Sequence, residues 1–299
     1  PASDVAAHSF GYVGEITSTQ MSLADFEGLK RGAVIGQSGL EKNYNRLLMG
    51  IDGFRRVVVN NIGRELETFN EVRTKNGSRL KLSLDYDLQV AAEQGFKANG
   101  FYGSAVALDP NSGEVLALVS LPSYNPNVFA AGIDMEEWKK LNADELRPLQ
   151  NRPIQGRYSP GSLFKIVVAV AALEEKIISS DFKVRCNGGA DFYGRYFRCH
   201  LRQGHGLIDV QTALEKSCNV YFYTVGNMVG IDLLHKWGTA LGLGEISGID
   251  LPSELRGIMP SKAWKKRQTG ERWYAGETVS VAIGQGQVWV TPISLAVMI

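Results

Sequence analysis

The pattern of apolar and polar positions changes near residue 80. Before it the chain is polar and broken by Gly28, Gly32, Gly36, Gly39, Gly50, Gly53 and Gly63. Within that stretch Arg55 to Asn60 places Val57, Val58 and Val59 between charged and polar neighbours, which predicts a strand. Beyond it, Leu82 to Leu84 predicts a short strand and Asp87 to Lys97 a helix. Two β-prone runs, Ser104 to Leu108 and Glu114 to Ser120, flank Asp109-Pro110-Asn111-Ser112-Gly113 and predict a hairpin. Residues 162–176 follow Pro160-Gly161 and are apolar all round, as a buried central helix would be. Helices are expected around 209–229 and 231–241, and a strand at Val279 to Ile283, before Gly284-Gln285-Gly286. Hairpin, buried helix, further helices and then strand is an α+β order. Residues 1–78 read as a small β-containing accessory module and 79–299 as the main domain.

Composition narrows the classes of function. With 44% hydrophobic residues in 299, the chain can bury a substantial core. Its 32 basic and 31 acidic residues leave a net charge of +1, without the basic excess of a nucleic-acid binder. The longest apolar run, Ile166 to Leu173, is far short of the roughly 18 residues of a membrane span. The chain opens on Pro1 without a signal sequence, so both ends are read as lying inside a longer protein, and a membrane anchor stays open.

Ser162-Leu163-Phe164-Lys165 opens the buried helix. Positions three apart share a helix face, which sets Lys165 beside the hydroxyl of Ser162. A serine is a poor nucleophile until a base takes its proton. A lysine in an apolar helix loses proton affinity by desolvation and so suits that task. The free N–H groups at the helix start favour a developing oxyanion. The spacing alone decides little, because Ser78-Arg79-Leu80-Lys81 and Ser180-Asp181-Phe182-Lys183 repeat it in polar surroundings.

A second element lies 55 residues downstream, Ser217-Cys218-Asn219 before the apolar Val220-Tyr221-Phe222-Tyr223. From a short loop, Ser217 and Asn219 can aim into one cleft, the hydroxyl to relay a proton and the amide to grip a peptide bond. Ser123-Tyr124-Asn125 shows that this pattern also arises as an ordinary turn. The order and spacing of the two elements together are specific.

Cys186, Cys199 and Cys218 share one stretch with His200 and His205. Cys186 and Cys199 could form a disulfide, leaving Cys218 as a small buried thiol. Equally, three thiols with His205 make a Cys₃His set, a normal structural zinc site. His200 is an alternative ligand, whereas His8 and His235 read as surface or core histidines.

These elements resemble the class B penicillin-binding proteins, most closely their elongation-specific branch. The likeness includes Gly39-Leu40-Glu41 with Tyr44, Gly50-Ile51-Asp52-Gly53 and Asn61-Ile62-Gly63-Arg64. It continues through Asp109 to Ala117, Pro122 to Asn127, Asn151-Arg152, Gly284-Gln285-Gly286 and Thr291-Pro292. The resemblance implies a serine β-lactamase-like transpeptidase domain, an antiparallel sheet with helices around a buried central one, beside an N-terminal pedestal. It implies a peptidoglycan D,D-transpeptidase in which Ser162 attacks the D-Ala–D-Ala bond of a stem peptide. Lys165 is then the base, Ser217 a proton relay, Asn219 a substrate clamp, and β-lactams acylate Ser162 as substrate mimics. It also implies an inner-membrane anchor with the catalytic domain in the periplasm, and as partners a SEDS-type glycosyltransferase and elongation-complex proteins. For the cysteines it implies Zn²⁺ on Cys186, Cys199, His205 and Cys218; the chemistry needs no other cofactor. One motif departs from the family. No K-T-G or K-S-G is present, and Gln268-Thr269-Gly270 lies too early to replace it. The expectation is that this motif follows Ile299, so the stretch in hand lacks one wall of the site and one oxyanion donor. A D,D-carboxypeptidase or β-lactamase, or a β-lactam sensor domain, would share Ser162 and Lys165. The module at 1–78 argues against them.

Overall fold

The computed structural model describes residues 4–299. Compact packing divides the chain into two units, one running through Asn151 and taking in Asp250–Ser253, the other formed by Arg152–Ile249 and Glu254–Ile299. The described strands form five two-stranded antiparallel ladders.

In the first unit, β1 (Val13–Glu15) pairs with β2 (Val34–Gly36), and β3 (Phe54–Val59) with β4 (Glu65–Val72). The valine-rich strand read at 55–60 is therefore present, and β4 is exposed along its whole length. Helix α1 (Tyr86–Ala98) and the hairpin of β5 (Gly103–Leu108) and β6 (Val115–Leu121) agree with the pattern. Asp109 closes the hairpin turn by accepting from the N–H groups of Asn111 and Ser112, and those bonds lower its carboxyl pKa. Buried Gln89 on α1 substitutes for a neighbouring strand: its amide donates to Leu118 O at 3.1 Å and accepts from Leu118 N at 2.8 Å. His8 lies in the core of this unit, with Nε2 2.7 Å from the carbonyl of Pro148.

The strand expected at Leu82–Leu84 does not form. The segment spends its polar groups otherwise: Ser83 Oγ donates to Val115 O, Asp85 N to Leu116 O, and the Asp85 carboxylate caps α1 at Leu88 N.

The second unit is built around α2 (Phe164–Glu174), preceded by a 3₁₀ turn at Gly161–Leu163. Phe164, Val167, Val168, Ala171 and Ala172 are fully buried, as the unbroken apolar pattern requires. The buried members of the cluster around α2 come from residues 164–290. Short strands β7 (Val184–Cys186), β8 (Gly189–Phe192), β9 (Arg195–Arg198) and β10 (Gly206–Ile208) follow, with β7 paired to β10 and β8 to β9. Helices α3 (Val210–Glu215), α4 (Asn219–Val229), α5 (Ile231–Ala240), α6 (Lys262–Thr269) and α7 (Ala275–Val281) come after these strands.

Two elements differ from the sequence expectation. The helix at 209–229 is broken at Lys216–Cys218, where Ser217 takes a positive φ of 49°. The strand at Val279–Ile283 is instead the end of helix α7 and the turn after it. Val279, Val281, Ala282 and Ile283 are all buried and only Ser280 is half-exposed, too little contrast to show a period. What decides is Glu277, whose carboxylate accepts from Tyr274 N at 2.8 Å and starts a helix.

Helices α4 and α7 meet where Gly226 faces Ala282. A Cβ on Gly226 would lie 2.3 Å from that of Ala282. Gly226→Ala should therefore cost about 1–3 kcal/mol and lower Tm. Gly238→Ala, whose Cβ meets only the flexible end of Met259, should stay within about 1 kcal/mol. Thermal unfolding of both variants checks the contrast; equal losses would contradict it.

Candidate active site

The break between α3 and α4 and the start of α2 lie side by side. Ser162 stands exposed in the 3₁₀ turn, and one turn on, Lys165 is only 1% exposed. The Lys165 Nζ donates to Ser217 O at 2.7 Å, Ser217 Oγ at 2.9 Å and Asn219 Oδ1 at 2.7 Å. Three acceptors match the three donors of an ammonium. Ser217 Oγ in turn donates to Ser162 Oγ at 3.0 Å. The four residues read from the sequence are thus gathered, with one correction to their wiring. No direct hydrogen bond joins Lys165 to Ser162 among the described residues; the Ser217 hydroxyl stands between them.

The left-handed backbone at Ser217 makes this possible. Such a conformation costs a non-glycine residue about 1–3 kcal/mol and persists where surrounding contacts hold it. Here the Ser217 carbonyl is fixed by Lys165 and its N–H donates to Leu214 O. The turn sends Ser217 and Asn219 towards Lys165, while Cys218 is fully buried between them.

Burial lowers the pKa of Lys165, and negative charge on the nearby Cys199 and Cys218 sulfurs would oppose that shift without reversing it. The Phe222 ring centroid lies 5.7 Å from Nζ. Ser162 opens on two hollows. One, of about 490 Å³, is lined by Pro160, Leu163, Ile166 and Leu214. The other, of about 290 Å³, presents Asn219, His200 and Gln285. Of these, His200 and Gln285 were not assigned to the cleft from the sequence. The Gly284-Gln285-Gly286 signal was visible, but its place beside Ser162 depends on tertiary packing.

Cys186 at the end of β7, Cys199 after β9, Cys218 and His205 bring their ligand atoms within 4.8 Å of one another. All three thiols are free in the structure, with no bond between Cys186 and Cys199. Register supplies the meeting: Gly206 on β10 pairs with Cys186, which carries the adjacent His205 to that thiol. Burial pushes Cys218 up to about 12. Burial also acts to raise Cys199, but backbone hydrogen bonds from Leu201, Asn219 and Val220 outweigh it and lower the thiol. His205 is lowered, first by burial and then by His200, Lys216 and Lys165, which disfavours the imidazolium. His200 lies outside this set, its ring centroid 5.1 Å from that of His205. The other S-x-x-K serines, Ser78 and Ser180, are exposed, as are Lys81 and Lys183.

Residues 103–299 match the family of the penicillin binding protein transpeptidase domain, and residues 1–82 that of the penicillin-binding protein dimerisation domain. The chain belongs to the penicillin-binding protein family. Among its curated relatives, the peptidoglycan D,D-transpeptidase MrdA of Acinetobacter baumannii is 39% identical over 99% of this chain and 44% of its own length. The protein of the same name from Escherichia coli is 37% identical over 99% of this chain and 47% of its own. The chain therefore spans about half the length of these relatives. A penicillin-binding protein (PBP2) of Helicobacter pylori, solved in complex with MreC, superposes with a TM-score of 0.88 at 34% identity, over 99% of this chain and 54% of that one. PBP2 of Pseudomonas aeruginosa, in complex with WCK 5153, gives 0.84 at 34% identity, over 100% of this chain and 62% of that one.

Within this penicillin-binding fold the electrostatics of Lys165 carry a pH signature. Because burial lowers its pKa, the neutral amine, the form able to accept a proton, is populated at lower pH than in an ordinary lysine. Any step in which that amine takes a proton should therefore rise with pH and level off below about 10.4, the ordinary lysine value. Rate constants measured from pH 6 upward test this, and an inflection at or above that value would contradict it.

Proposed function

We propose that the protein is a serine-type peptidoglycan D,D-transpeptidase. The observation that carries the reading is the continuous hydrogen-bond chain Ser162–Ser217–Lys165 at the mouth of a cleft. Once Lys165 is neutral the two hydroxyls rotate, so that Ser162 donates to Ser217 and Ser217 to the amine; Ser162 Oγ then attacks the carbonyl of the D-Ala–D-Ala bond, its proton moving to Ser217 as Ser217 gives its own to Lys165. Lys165 returns a proton through Ser217 to the departing D-alanine amine. The amine of a second stem peptide then takes the acyl group and frees Ser162. Asn219 lines the cleft beside Ser162 and suits gripping the substrate peptide bond. The N-terminal N–H groups of α2 favour the tetrahedral oxyanion.

The relatives' names support peptidoglycan as the substrate, and the penicillin-binding description of the matching family supports β-lactams as ligands. Another similar structure, at 36% identity, is described as a peptidoglycan synthase complex coordinating polymerization and crosslinking. That description supports a polymerizing partner, and the family resemblance extends the proposal to a SEDS-type membrane glycosyltransferase, elongation-complex proteins and a periplasmic site of action from an inner-membrane anchor. No helix among the described residues is long and apolar enough to cross a membrane. Residues 1–78 serve as the pedestal in this reading and 79–299 as the catalytic domain.

Labelled penicillin should attach covalently to Ser162 in the full-length protein. Ser162→Ala should lose the label, and so should Lys165→Arg, because an arginine does not give up its proton. A mass-spectrometric adduct on another serine would refute the assignment. Release of free D-alanine with no crosslinked product would favour a carboxypeptidase, and an acyl-enzyme that neither crosslinks nor turns over would favour a sensor.

The Cys186, Cys199, His205 and Cys218 set suits Zn²⁺. Its donor types are those of a closed structural site, and a spread within 4.8 Å is near the roughly 3.8 Å separation of ligands around tetrahedral zinc. Zinc there would hold the Ser217–Asn219 turn from behind and supply no step of the chemistry. About one equivalent of zinc is expected by elemental analysis, lost together with some acylation rate in Cys218→Ser. Less than about a tenth of an equivalent would refute the metal reading.

A further inference from the structure

The approach to Ser162 is held by one carbonyl that the mechanism above does not use. Gly284 O accepts from Ser159 Oγ at 2.7 Å and from Gly161 N at 2.9 Å. A second tie lies three residues ahead of Gly161, where Tyr158 and Val290 exchange both backbone hydrogen bonds at 2.9 Å. The chain from Tyr158 to Gly161 is therefore fixed at both ends against residues 284–290, and Ser162 is the next residue. Gly284 itself admits no side chain. Its φ is 69°, and a Cβ there would lie 2.0 Å from Gly161 O. The same loop supplies Gln285 to the cleft wall, so one set of bonds fixes both the nucleophile and another part of the lining of its hollow.

We propose that Ser159 and Gly284 form a positioning clamp for acylation, which sets the Ser162 amide and hydroxyl in reacting geometry without touching substrate. Tight placement is where catalysis gains most from supporting residues, since small displacements of a nucleophile cost rate steeply. The donors divide the labour. Gly161 N–H belongs to the backbone and could be removed only by proline, whose fixed negative φ conflicts with the 56° found there, whereas the Ser159 hydroxyl can be deleted alone. Ser159 is exposed and Gly284 buried, so deleting the hydroxyl disturbs no core packing.

The clamp rests on Ser162 being the nucleophile, and the test separates the two. In the full-length protein, Ser159→Ala and Ser159→Thr are compared with the unaltered chain for penicillin acylation. The first-order acylation constant at saturation, the dissociation constant before acylation and Tm are measured for each. Ser159→Ala should lose about five- to tenfold in the acylation constant, the worth of one hydrogen bond, with the dissociation constant and Tm nearly unchanged. Ser159→Thr, which keeps the hydroxyl, should recover to within about twofold. Gly284→Ala should lose more, and Tm with it. An acylation constant in Ser159→Ala within about twofold of the parent would overturn the clamp. So would a loss confined to the dissociation constant or to Tm, or a failure of threonine to rescue. An unaltered protein that never labels at Ser162 would overturn the nucleophile assignment as well.

Discussion

A lysine ammonium removed from water needs acceptors in every donor direction, and the arrangement around Lys165 follows from that need. Burying an unpaired charge costs several kcal/mol, about the whole net stability of many domains. Ser217 O, Ser217 Oγ and Asn219 Oδ1 meet it from a single turn. To present a carbonyl and a hydroxyl of one residue to the same nitrogen, the backbone at Ser217 turns left-handed. That turn ends α3 and starts α4, so the local strain, the helix break and the lysine's environment are one feature. The site is consequently a compromise: stable enough to hold the ammonium, yet desolvated enough that the proton is held less tightly than usual.

This explains why the residues of the site were legible in the sequence while their wiring was not. Ser162 and Lys165 stand out because a lysine in an otherwise apolar helix needs a reason. Ser217 and Asn219 stand out because the polar pair abuts an apolar run. But spacing along a helix shows only which side chains share a face, and so predicts a direct Lys165–Ser162 contact. The acceptors that draw Lys165 aside come from 52 and 54 residues away, where no local rule reaches.

The fold divides similarly. The Ser104–Ser120 hairpin was readable because its turn chemistry is local: Asp109 satisfies two N–H groups within three residues of itself. The run at Val279–Ile283 was not, because burial of all but Ser280 erases the period that separates helix from strand. Its helical character lies in the Glu277 cap, which does not resemble the usual serine or aspartate start. Leu82–Leu84 failed for the opposite reason. Its alternation was real, but three residues followed at once by a capping aspartate have too little ladder to form.

The cysteines show how register can turn a loose spacing into a tight cluster. Nothing in intervals of 13, 6 and 13 residues between Cys186, Cys199, His205 and Cys218 marks a recurring ligand pattern. The short β7–β10 ladder closes the loop between Cys186 and Gly206, and the start of α4 brings up Cys218. Cys218 lies between two residues that face Lys165, so its own side chain is directed into the protein. The polar turn thereby acquires an inner contact that constrains the same backbone the ammonium constrains from outside. A turn held on one face alone could relax from the strained φ at Ser217; held on both, it keeps the hydroxyl between Ser162 and Lys165, where a proton must pass.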